Sequence, residues 1–176
     1  MSLGAWGSNV EFNDGDQASV ELDYTLDFSG TIGGKDGVGL SVGGVYYTYP
    51  GAANRLNYDY FEAYISASYD VSIVSTTIGL NFSPDYFGNS GDFFYPFVDV
   101  SIPLGKYLDL SAHGGFNSIT DEAAFAQRDY WDYGVSIGAN IAGVDFSFGY
   151  TDTDLTEANC DSTLCGSLVV SVSKSF

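Results

Sequence analysis

Positive charge is what this sequence has least of. Its 176 residues include 5 Lys plus Arg against 23 Asp plus Glu, for a formal net charge of -18. No basic stripe exists to neutralise phosphates, so nucleic acid is excluded as a partner. Long apolar runs are missing too: no stretch approaches the roughly 20 residues that a membrane helix needs. Met1-Ser2-Leu3 holds neither the charged n-region nor the apolar h-region of a secretory signal. An exported form would therefore have lost its signal peptide beforehand. Cysteine is nearly absent. Cys160 and Cys165 sit close together in a polar segment, where an oxidising compartment would close them into a small-loop disulfide; two free thiols are the alternative.

What is present suits strands. Hydrophobic residues make up 45% of the chain, which argues against disorder, and 14 Tyr and 13 Phe favour β-structure. The dominant pattern has a period of two. Within residues 18–28, Val20, Leu22, Tyr24, Leu26 and Phe28 fall on one face, while Ser19, Glu21, Asp23, Thr25 and Asp27 fall on the other. Side chains of a strand alternate between faces, so one face is apolar and the other charged. The same pattern predicts ten strands, near residues 6–12, 18–28, 38–49, 60–69, 74–83, 96–104, 108–113, 133–141, 144–150 and 168–176. Most are long enough for a tilted membrane-spanning strand.

The connections alternate in length. Short turns fall at 70–72, 105–107 and 142–143, and long loops at 50–57, 84–92, 117–132 and 153–166. Near the N-terminus the contrast is weaker, with 13–17 short and 30–37 longer. Short turns on one side and long loops on the other predict an all-β, antiparallel up-and-down transmembrane β-barrel with periplasmic turns. An even strand number then puts both chain ends in the periplasm. The apolar face carries no charge across the middle of these strands, as contact with lipid demands. Aromatics gather at strand ends. Tyr46, Tyr47, Tyr49, Tyr58, Tyr60, Phe82, Phe87, Phe93, Phe94, Phe116, Tyr130, Trp131 and Tyr150 lie toward the long loops, and Phe28, Tyr69, Tyr107 and Phe176 toward the turns. Two interfacial girdles are expected from this. A soluble β-sandwich also alternates, but it needs neither uncharged strands nor two girdles.

Several stretches together resemble a known family. They are Ala5-Trp6-Gly7-Ser8-Asn9-Val10, Glu21-Leu22-Asp23, Tyr46-Tyr47-Thr48-Tyr49-Pro50-Gly51, Tyr60-Phe61-Glu62 and Ser83-Pro84-Asp85-Tyr86-Phe87-Gly88. Further along come Leu110-Ser111-Ala112-His113, Asp129-Tyr130-Trp131-Asp132-Tyr133, Tyr150-Thr151-Asp152-Thr153-Asp154 and Ser171-Val172-Ser173-Lys174-Ser175-Phe176. From about Gly4 onward the chain is similar to the TorF family of porins in Gram-negative bacteria. The resemblance implies an outer-membrane location among lipid and lipopolysaccharide. It also implies that barrel-assembly machinery reads the terminal Phe176. Members of that family usually carry a further hairpin before the Ala-Trp stretch, which implies a parent barrel of about twelve strands, ten of them in this chain.

The expected inner face carries Glu11, Glu21, Asp23, Asp27, Glu62, Asp99, Asp109 and Asp145. Carboxylates in such a lumen select small cations and polar solutes, with Glu21, Asp23, Glu62 and Asp99 foremost. The other reading is a narrow or filled barrel, lined in part by Tyr60, Tyr64 and Tyr95. Barrels of about eight strands fill their interior, whereas open channels need about sixteen. Such a barrel would be structural or adhesive and would act through its extracellular loops. Asp109, Ser111 and His113 share the inward face at alternate positions. Side chains two apart along a strand stand roughly 6.5–7 Å apart, too far for a nucleophile and its base, so no catalytic residue or cofactor is expected. Asp152, Asp154, Glu157 and Asp161, like Asn13-Asp14-Gly15-Asp16, supply oxygens that could attract Ca²⁺ or ions bridging lipopolysaccharide, in no EF-hand spacing. Gly33-Gly34-Lys35-Asp36-Gly37 reads as a turn, without the spacing or the following helix of a phosphate-binding loop.

Overall fold

The computed structural model describes residues 1–12, 18–34, 37–125, 128–156 and 165–174. Ten strands follow one another: β1 (Ser2–Asn9), β2 (Val20–Ile32), β3 (Val38–Thr48), β4 (Tyr60–Val71), β5 (Val74–Ser83), β6 (Phe93–Pro103), β7 (Leu108–Ile119), β8 (Tyr130–Ile141), β9 (Val144–Thr153) and β10 (Ser167–Ser173). They form one antiparallel sheet in which each strand pairs with its neighbours in sequence. Among the described residues there is no second sheet for the apolar side to pack on, which counts against the sandwich alternative. Among the described residues, no helix is long and apolar enough to cross a membrane.

Alternation and turn chemistry explain these elements. The β8–β9 hairpin closes through Ala142 and Gly143, both with positive φ (53° and 79°). That is the mirror-image two-residue turn whose twist matches the flanking strands, and Gly143 adopts it without strain. The registers also carry a steady stagger. One ladder row runs Ser29, Ser41, Ser66, Gly79, Phe97, Gly115, Asp132, Thr153. It starts near the turn end of β2 and finishes at the loop end of β9. Strands sheared in one direction in this way are what a tilted barrel wall requires.

The connections after β2, β4, β6 and β8 leave from one end of the sheet, and those after β1, β3, β5, β7 and β9 from the other. The first strand corrects the sequence reading. It spans Ser2–Asn9 and not 6–12, so the loop after it is long and the contrast holds along the whole chain. Its register sets Trp6 opposite Asp23 on the polar face. As an edge strand with a mixed sequence, β1 lacks the run of alternating large apolar residues that marks the others.

The two faces differ sharply. Outward side chains such as Ile65, Ile78, Val135, Ile137, Phe148 and Val170 are exposed. Within the strands, the one charged residue on that face is Asp152, at the loop end of β9. The inward face carries Glu21, Asp23, Asp27, Glu62, Asp70, Asp99, Asp109, Asp132 and Asp145. Every described Lys and Arg lies outside the strands. Large inward rings fit because small residues face them. The Phe97 ring lies so close over Gly79, its register partner, that a Cβ there would overlap it. Gly79→Val is therefore expected to displace Phe97 and cost about 1–3 kcal/mol, the usual penalty of overpacking. An unchanged urea midpoint for the refolded variant would contradict this packing.

The buried apolar residues gather at the loop end, not along the sheet. They are Ala18, Tyr49, Tyr60, Phe93, Ile119 and Leu155. The loops there interlock. Gly88 N donates to Asn57 O (2.9 Å), Thr120 N to Asp92 O (2.9 Å), Asp121 N to Ser90 O (3.0 Å) and Asp154 N to Trp131 O (3.0 Å). Asp129 ties its loop back to β7, accepting from Ile119 N at 2.8 Å and from the Ser118 hydroxyl at 3.1 Å. Asp129→Ala orphans that half-buried amide and is expected to cost about 1–3 kcal/mol. Faster proteolysis within 120–129 is the readout, and an unchanged cleavage rate would count against the tie.

Candidate functional site

The inward carboxylates stand at three levels. Asp70, Asp109 and Asp145 lie at the turn end, Asp27 and Asp99 near mid-strand, and Asp23, Glu21, Glu62 and Asp132 toward the loops. At the turn end, Asp70 accepts from the Ser75 hydroxyl (2.7 Å) and Asp145 from Asn140 Nδ2 (2.6 Å). Asp109 stands against Gly138. Asp27 accepts from Ser41 and from the Tyr64 hydroxyl.

Asp23 and Glu62 stand on the inward face but are buried. They retain only 8% and 4% of their exposure. Glu62 accepts from Asn81 Nδ2 at 2.9 Å, whereas Asp23 Oδ1 is buried with no partner in the structure. The cover over them is aromatic. Phe12, Tyr49, Tyr58 and Phe87, drawn from three loops, form a cluster with ring centroids 4.3–5.9 Å apart. Below it Tyr47 stacks on Tyr60 (4.4 Å), Tyr60 meets Tyr86 (4.6 Å), and Tyr86 stacks on Phe93 (4.1 Å). The loop-end aromatics thus divide. Tyr46, Phe82, Phe94, Phe116, Trp131 and Tyr150 stand on the apolar face, while Tyr47, Tyr60, Phe93 and Tyr130 stand on the acidic face and Tyr49, Tyr58 and Phe87 lie in the loops. Strand parity decides the side for those within strands.

Two phenols outside the strands register this cover. Burial pushes the Tyr86 phenol up, helped by nearby Glu62, against an opposing hydrogen bond with Tyr60. Burial, then hydrogen bonding with Glu21, pushes Tyr49 up. Both stay neutral in the folded protein above about pH 10, where free tyrosine ionises. The unfolded chain then binds fewer protons than the folded one. Their stabilisation is whole below about pH 10 and is lost as pH rises toward the folded values. The near-UV signal of the cap is expected to collapse in alkali before the far-UV strand signal does. Simultaneous loss of both signals would contradict a separately titrating cap.

The cluster with most chemistry surrounds His113. Nδ1–H donates to Asp99 Oδ1 at 2.6 Å. Nε2 lies 3.0 Å from Asp132 Oδ1 and 2.6 Å from the Tyr95 hydroxyl. Tyr95 also donates to Asp132 (2.9 Å), and Asn117 Nδ2 donates to its other oxygen (2.8 Å). Phe93, Tyr95, Phe97 and His113 stack in sequence and link this cluster to the aromatic cover. Ser111 bonds to Ser101 (3.2 Å), not to His113. Asp132 was missed from sequence because residues 117–132 read as loop. Parity carried back from Gly134 and Ser136 was the available signal.

Asp152, at the end of β9, and Asp154, in the loop after it, are engaged in protein contacts. Asp152 accepts from the Tyr150 hydroxyl, and Asp154 accepts from Trp131 N and meets Arg128 at 3.4 Å. Among the described residues, no group of three or more His, Cys, Asp or Glu is arranged to hold a metal. Cys160, Glu157, Asp161, Asn13, Asp14, Gly15, Asp16, Lys35, Asp36 and Phe176 lie outside the described residues.

One family matches residues 1–176, described as a bacterial protein of unknown function (Gcw_chp). The chain belongs to this family. No curated protein and no solved structure matches it. Membership in Gcw_chp is consistent with a bacterial origin, and beyond that the fold and the site must speak for function.

Proposed function

We propose that the chain is an outer-membrane β-barrel of the TorF porin kind, which admits small cationic or polar solutes to an acidic interior. The observation that carries this reading is the segregation of charge. The outward face of ten strands is apolar but for Asp152 at the end of β9 and is largely exposed, while the inward face gathers nine carboxylates with no Lys or Arg. An exposed apolar band of that extent needs a nonaqueous neighbour. In lipid, strands must also leave no free edge, which favours closure of the staggered sheet into a barrel. The turns and both chain ends would then face the periplasm, and the interlocked loops the outside.

Planar-bilayer recording of the refolded chain in a salt gradient tests this. Steady openings with a cation-selective reversal potential are expected, and Asp99→Asn plus Asp109→Asn should move that potential toward zero. An anion-selective reversal potential would sink the proposal. One observation favours the second reading, a structural or adhesive barrel: the aromatic cover seals part of the loop end. A folded barrel that stays silent in the bilayer would select that reading.

A further inference from the structure

A cavity of about 660 Å³ opens on the inward side of β5–β10, against Asp99, His113 and Asp132. Its volume lies within the range of roughly 300–1,000 Å³ typical of small-molecule sites. No Lys or Arg lines it. Two carboxylates stand here against one imidazole, which carries at most one positive charge. Asp99 is 48% exposed and Asp132 24%, so both can receive a ligand. Thr77, Ser101, Ser111 and Ser136 line the same space. The stacked Phe97 and Tyr95 hold His113 in place from behind. A bare metal ion fits poorly, since no three-ligand group is arranged here.

We infer that this cavity binds a small solute bearing both an amine and hydroxyl groups, such as an amino sugar. The ammonium sits at Asp99 and Asp132, and the serine and threonine hydroxyls exchange hydrogen bonds with the solute's own. The site requires the aqueous interior proposed above. Calorimetric titration of the refolded chain in micelles with glucosamine, N-acetylglucosamine and glucose tests it. N-acetylation removes the charge and keeps the ring, so the comparison needs no variant. Saturable binding of glucosamine is expected, roughly tenfold or more tighter than either neutral sugar. Asp99→Asn plus Asp132→Asn should abolish that preference, and Asp85→Asn, on an exposed loop, should keep it. Equal affinity for all three sugars, no saturation, or a preference untouched by the double substitution would overturn the inference. Bilayer recording separates the two proposals. Glucosamine binding by a silent barrel removes the pore and keeps the site, whereas cation conduction without binding removes the site and keeps the pore.

Discussion

Arginine at Ile137 should destabilise the folded protein in a bilayer by about 2–4 kcal/mol, while arginine one residue earlier, at Ser136, should cost far less. Both lie mid-strand in β8, and their side chains point to opposite faces. Ile137 is exposed outward, paired with Leu110 and Phe148, so a guanidinium there must enter hydrocarbon or distort the bilayer. Ser136 faces Ser111 and Gly149 on the acidic side. Arginine there meets hydroxyls and nearby carboxylates. Urea titration in lipid vesicles, read by the gel shift between folded and unfolded forms, measures both. Equal losses for the two variants would mean that the faces do not differ in solvent.

Phe87→Ala should open the loop end. Phe87 meets Phe12 at 5.2 Å, Tyr49 at 5.3 Å and Tyr58 at 4.3 Å. Each such pair contributes about 0.5–1.5 kcal/mol beyond its buried area, so the cluster loses about 2–4 kcal/mol. The Gly88–Asn57 hydrogen bond beside it remains. Single-channel conductance is expected to step up while cation preference persists, because Asp99, Asp109 and Asp132 are untouched. Lower conductance in Phe87→Ala than in the parent chain would show that the cluster supports the passage and does not cover it.

The fold was largely legible because strand periodicity is a local signal. Val74–Ser83 alternates cleanly and folds over the same residues. Ala142–Gly143 and 84–92 were equally plain, a tight turn and a polar loop between apolar runs. β1 was displaced because Gly4, Gly7 and Ser8 give it little pattern. The site was legible only in part. Parity placed Asp27, Asp99, Asp109 and Asp145 inward, yet it cannot say how deep a residue sits. Asp23 and Glu62 are buried near Tyr49 and Tyr86, whose loops have no period to read and meet only in three dimensions. The pairing of His113 with Asp99 and Asp132 joins three strands, and only the register reveals it.

The most direct test is a nitroxide placed in turn at residues 133–139 of β8 in the vesicle-embedded protein. Collision with oxygen, which enters lipid, and with a water-soluble nickel chelate is then measured. Oxygen collisions should peak at Tyr133, Val135, Ile137 and Ala139, and chelate collisions at Gly134, Ser136 and Gly138. Chelate access that is uniform along the strand would contradict a barrel wall standing between lipid and an acidic interior.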